Sequence, residues 1–157
     1  MSGIFSERTS TCNIIAAILM VILIILQFTP FWQYGENPAE SVSIQEYIWF
    51  PTDHEGLNKH FEAETGTTYT VNSILIPFLP LLFTGVLGIF FCLAKSMHTW
   101  VAIWPIITGG LGAAGFLTKE VMRLGSSWHV QMIICVALLV VGILSILLDR
   151  KDAKNND

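Results

Sequence analysis

Four stretches of this chain contain no Asp, Glu, Lys, Arg or His: Cys12–Phe28, Val71–Ala94, Trp100–Leu117 and Val130–Leu148, with 17, 24, 18 and 19 residues. Together they make up half of the 157 residues. A helix needs about 20 apolar residues to cross a hydrocarbon core of about 30 Å. The links between the second and third runs and between the third and fourth are short, so consecutive helices should be antiparallel neighbours. The pattern predicts an all-α membrane protein, a four-helix up-down-up-down transmembrane bundle with spans at 12–29, 71–94, 99–118 and 128–148. Composition points the same way: 53% of residues are apolar and 13% are charged, against about 25% charged in soluble domains.

The first run follows a short polar lead containing Arg8, but Gln27-Phe28-Thr29-Pro30-Phe31-Trp32 offers no small-x-small cleavage site. It is read as a retained anchor helix. Arg8, Lys95, Arg150, Lys151 and Lys154 fall on one side of the expected bundle, and Lys59, Lys119 and Arg123 on the other. The positive-inside rule then puts both termini in the cytoplasm and residues 30–70 outside. The expected setting is a plasma membrane crossed several times, with membrane lipids as the immediate surroundings. The net charge is −4 and no basic patch is present, so nucleic-acid binding has no electrostatic footing. The small size and the absence of any Asn-x-Ser/Thr acceptor point to a bacterial source.

Residues 30–70 are expected to form a small cap. Ser41–Phe50 is rich in strand formers, with Val42, Ile44, Ile48 and Phe50 on one face at period two. Thr52-x-x-Glu55 matches a capping box, and a short helix should run to about Glu64. Thr67–Val71 favours a second strand. The expected cap is therefore strand, helix, strand. Its contacts with a partner protein are expected at Tyr47, Trp49, Phe50, Leu57 and Phe61, because aromatic residues dominate binding hot spots. Four spans with a strand-bearing first outer loop resemble the claudin-like tetraspan arrangement. Those proteins carry a Trp and a Cys pair in that loop. Here Trp49 is present, but Cys12, Cys92 and Cys135 all lie in the apolar runs. The resemblance is one of architecture and assigns no role to any residue.

Two features of the spans bear on packing. Pro80 falls inside the second run, where loss of a helix bond predicts a kink. The third run contains Gly109, Gly110, Gly112, Ala113 and Gly115, small residues that let helices approach closely. Gly85 and Gly88 in the second run are suitable partners for them. Packing within the bundle is the expected use, with an oligomer interface as the alternative.

Apart from thiols, the four apolar runs hold no ionisable group, which argues against ion-coupled transport. There is no His-Glu-x-x-His. Ser145 lies 16 residues from His129, about 24 Å along a helix, too far to act with it as nucleophile and base. A polar cluster remains at the expected outer rim: Gln27, Asn72, Lys119, Glu120, Arg123 and Gln131. His60 and Glu64 share a helix face at i, i+4, and with His54 and His129 they are the candidate ligands for a divalent metal. The bland alternative is a solvated acidic helix. No catalytic residue and no cofactor are expected. The function expected is that of a non-enzymatic accessory or assembly subunit, recognising another membrane protein or a second copy of itself through the outer loop. The alternatives are a small oligomeric transporter or channel with an outward vestibule, and a metal-dependent enzyme at the outer rim.

Overall fold

A computed structural model describes residues 3–33, 41–50, 55–65, 77–93, 99–117 and 128–155. The protein is mostly helical. Helix α1 (Gly3–Gln27) leads into strand β1 (Pro30–Gln33), strand β2 (Ser41–Ser43) and two short helices, α2 (Ile44–Trp49) and α3 (Glu55–Thr65). Helix α4 (Phe78–Leu93) follows, then a single 3₁₀ turn (Thr99–Ala102) that runs into α5 (Ile103–Leu117), and last α6 (Trp128–Asn155).

The four long helices pack in a ring, α1 on α4, α4 on α5, α5 on α6 and α6 back on α1. Glycines set the close approaches and reveal the directions. A methyl on Gly88 would meet the Met20 side chain and Trp104 Cβ, and one on Gly85 would meet Ile24 and Thr108. As α4 advances, its neighbours on α1 and α5 retreat, so α4 is antiparallel to both. Gly112 would meet Cys135, Gly109 would meet Leu138, and Gly142 would meet Ile106, so α5 and α6 are antiparallel too. Three reversals leave α1 antiparallel to α6. The up-down-up-down order expected from the sequence describes the packing of these helices.

Gly109, Gly112 and Gly115 all face inward. A side chain on Gly109 would lie 2.6 Å from the Cys135 carbonyl oxygen, and one on Gly115 2.6 Å from the Phe78 ring. Ala113 is buried as well. Gly110 is different, because its nearest neighbour would be 3.9 Å away. The small residues of α5 thus serve packing within the chain, with Gly110 outside the tight contacts.

Along α1 the inward positions are Asn13, Ala16, Met20, Leu23 and Gln27, and along α6 they are Gln131, Cys135, Leu138, Gly142 and Ser145. All ten are buried. The spacing alternates three and four, as in a coiled-coil seam. With Gln27 held against Gln131, equal helical rise puts Leu23 level with Cys135, Met20 with Leu138, Ala16 with Gly142 and Asn13 with Ser145. At the far end from the glutamines, Phe91 stacks on Trp104 and meets Trp100 edge-on, locking α4 to α5.

Three expectations need correction. Among the described residues, only α6 holds a stretch long and apolar enough to cross a membrane, His129–Leu148. The other apolar stretches, Thr11–Gln27, Phe78–Leu93 and Trp100–Gly115, are shorter. In the second run the described helix covers Phe78–Leu93, and residues 71–76 lie outside the described residues. Pro80 is the third residue of α4, in the first turn, where a missing N–H breaks no helix bond. It marks the start of the helix rather than a kink near the outer end of a span.

The third correction concerns the cap. Ser41–Phe50 is not one strand. Its first three residues pair antiparallel with β1, in the register Trp32 to Val42 and Gln33 to Ser41, and the rest turn helical. The cause is a capping box at Ser43-Ile44-Gln45-Glu46. The Ser43 hydroxyl accepts from the Glu46 N–H at 3.2 Å, and the Glu46 carboxylate accepts from the Ser43 N–H at 3.4 Å. Local capping overrides strand propensity here. Helix α3 runs as expected to the neighbourhood of Glu64. The expected cap residue Thr52 and the second strand at 67–71 lie outside the described residues.

Candidate functional site: buried glutamines beneath the cap

The last residue of α1 is Gln27, and the fourth of α6 is Gln131. Gln27 Nε2 donates to Gln131 Oε1 in a buried bond between residues 104 apart in sequence. Gln131 Nε2 donates in turn to the Leu26 carbonyl at 3.5 Å. That carbonyl is one of the last four of α1, which lack a partner within the helix itself. It also accepts from the Thr29 hydroxyl at 2.8 Å and from the Thr29 N–H at 3.3 Å. Gln131 therefore caps α1 from across the seam. Gln27 Oε1 is buried and has no hydrogen-bond partner among the described residues. An unpaired buried acceptor costs about 1–3 kcal/mol.

A third buried glutamine ties the cap to the bundle. Gln45 Nε2 donates to the Phe78 carbonyl at 3.3 Å, and Gln45 Oε1 accepts from the Trp49 indole N–H at 3.1 Å. The first bond crosses from α2 to the start of α4. Phe78 packs against Gly115, and Gly112, one turn along, packs against Cys135 one turn from Gln131. Gln27, Gln131, Phe78, Gly115 and the α2 end of the cap thus occupy one layer.

Of the expected rim cluster, the structure brings Gln27 and Gln131 into contact. Asn72, Lys119, Glu120 and Arg123 lie outside the described residues. Of the expected partner contacts, Trp49 and Phe50 are exposed, at 53% and 60%. Tyr47 and Leu57 are buried and belong to the same hydrophobic core as Met20, Leu23, Phe78 and Leu81 of the long helices. The side chain of Phe61 is not among those described. Among the candidate metal ligands, His129 is exposed, His54 lies outside the described residues, and His60 and Glu64 sit on α3 with side chains outside that set. No group of three His, Cys, Asp or Glu positioned for a metal occurs among the described residues. Gln45 is the residue that sequence reading missed. Its signal was the Ser43-x-x-Glu46 box, which makes position 45 part of a helix rather than the outward face of a strand.

An amide neither gains nor loses a proton near neutral pH. The buried side chains of this layer can hold helices together and can offer one further acceptor, Gln27 Oε1. They cannot act as general acid or base. Comparison with protein-family models, with curated proteins and with solved structures gives no match.

Proposed function

We propose that the chain is a four-span integral membrane protein acting as an accessory or assembly subunit, with a cap on one side that recognises a partner. The observation that carries the membrane half is an inverted distribution of polarity. The uncharged polar side chains Asn13, Gln27, Thr108, Gln131 and Ser145 are buried between helices. Ile14, Ile18 and Ile25 on α1, Phe83, Val86 and Phe90 on α4, Ile103 and Ile107 on α5, and Ile133, Val140 and Leu147 on α6 point outward. Apolar surface on every helix of a ring far exceeds the few hundred Å² that a soluble monomer exposes in one patch. Lipid removes that cost, and it favours polar side chains turned inward. The three shorter apolar helices fit this reading if the ends of their spans are completed by flanking residues or by local thinning of the bilayer.

Support for recognition rather than chemistry comes from the amides at the capped end. Support for a filled bundle rather than a conduit comes from the seam. Between its polar ends, Ala16, Met20 and Leu23 lie level with Gly142, Leu138 and Cys135, an apolar stretch without a polar path. Thr108 donates to Thr84 at 3.1 Å, and Thr84 donates to the Leu81 carbonyl at 3.2 Å, so these hydroxyls are used within the protein. The partner-facing surface of the cap is the exposed side of α3, with Glu55, Lys59 and Glu62. A photo-crosslinker at Glu62 in intact membranes should give one discrete adduct, either with another membrane protein or with a second copy. Failure to form any adduct at Glu55, Lys59 and Glu62 would remove the recognition reading. Release of the protein from membranes by alkaline carbonate would remove the membrane reading.

A further inference from the structure

We propose that Trp49 and Phe50 anchor the cap in the lipid bilayer, entering the headgroup and upper acyl region beside the first turn of α4. This rests on the membrane reading above. Both residues sit at the C-terminal end of α2, exposed, while Ile44, Gln45 and Tyr47 of the same helix are buried. They are not part of the hydrophobic core.

Their depth follows from two hydrogen bonds. Gln45 Nε2 reaches the Phe78 carbonyl, and the Trp49 indole N–H reaches Gln45 Oε1. The indole is thereby held at the first turn of α4. That turn is level with Gly115 and the Gln131 end of α6, and two residues beyond Gln131 His129 ends the charge-free run of α6. Trp49 therefore lies where the apolar band of the bundle stops. Phe28, exposed at the end of α1, continues the band at the same end.

The chemistry suits this depth. A tryptophan at a membrane boundary needs a partner for its N–H and an apolar surrounding for its ring. Gln45 satisfies the N–H from inside the protein, which leaves the exposed ring surface apolar. The nearest charge on α2, Glu46, has its carboxylate drawn back to the Ser43 N–H at the opposite end of the helix. The aromatic pair can enter lipid without carrying that charge along. A protein partner would need to reach the same ring at the edge of the bilayer, whereas lipid is already there.

The test is fluorescence of the full chain in phosphatidylcholine vesicles brominated either near the headgroup or near the acyl terminus. The Trp49 signal is the difference between the wild type and Trp49→Phe, and Phe50→Trp adds an independent signal one residue on. Both signals should fall about twofold with shallow bromine and less with deep bromine, as for groups lying about 5–10 Å into the interface. If neither signal is quenched while the remaining tryptophans are, the pair faces water or a protein and the proposal fails. If no tryptophan of the protein is quenched, the membrane reading itself fails.

Discussion

The side-chain amides of Gln27 and Gln131 meet in the buried layer where α1 ends and α6 begins, and Gln131 also caps the Leu26 carbonyl. The two glutamines depend on each other unequally. Removing Gln131 strands the Nε2 of Gln27, beside an Oε1 that has no partner among the described residues. Removing Gln27 deletes an acceptor that has no partner among the described residues and leaves Gln131 its bond to Leu26.

Gln131→Leu should therefore destabilise the protein by about 1–2 kcal/mol, and Gln27→Leu by less. The double variant should cost less than the sum, because it leaves no stranded amide. Equilibrium unfolding in detergent, followed by helical circular dichroism, measures all three. Equal and additive losses would mean that the pair is not coupled.

Gly109 and Gly110 are neighbours with opposite surroundings. An added methyl at Gly109 meets the backbone of α6, the Cys135 oxygen at 2.6 Å and the Leu139 nitrogen at 3.1 Å, which cannot rotate away. Gly109→Ala should cost about 1–3 kcal/mol. At Gly110 the nearest atom is the flexible end of Leu139 at 3.9 Å. Gly110→Ala should be neutral or stabilising by up to about 1 kcal/mol, from helix propensity alone. The melting temperatures of the two variants should move in opposite directions or by clearly different amounts.

Ser43 holds α2 and, through Gln45, the tie between cap and bundle. Ser43→Ala should weaken α2 by about 0.5–2 kcal/mol. Hydrogen exchange at the amides of Glu46 to Phe50 should quicken while α6 stays protected. Exchange that quickens equally in α6 would mean that the cap and bundle open as one unit.

Orientation is open to direct measurement. With both termini in the cytoplasm, Glu62→Cys should react with a membrane-impermeant maleimide in intact cells, and Lys154→Cys only after lysis. Cys92 and Cys135 are buried and contribute little background. The reverse pattern would invert the topology and move the glutamine layer to the cytoplasmic side.

Helix positions were largely legible in the sequence because uninterrupted apolar runs leave few alternatives. The runs from Cys12, Trp100 and Val130 correspond to α1, α5 and α6, and the inward use of Gly109, Gly112 and Gly115 follows from their size. Less legible was Ser41–Phe50, where β-branched and aromatic residues suggested a strand while Ser43 and Glu46 specified a helix. Propensity is a sum of weak terms, and two reciprocal hydrogen bonds at the N-terminus outweighed it. Tyr47 and Leu57 looked like contact residues from their type alone, and only packing shows that they are buried in the common core.

The sequence by itself determined that this chain is built around four apolar runs free of formal charge, because no arrangement of neighbours alters which residues lack charge or how long the runs are. Tertiary structure decided which side of each helix faces inward. Gln27 and Gln131 are far apart in the chain, and a glutamine on an apolar helix can face a neighbour or the surroundings. Their contact depends on the three-four spacing of two antiparallel helices in one register, which the chain sets only when all four helices pack.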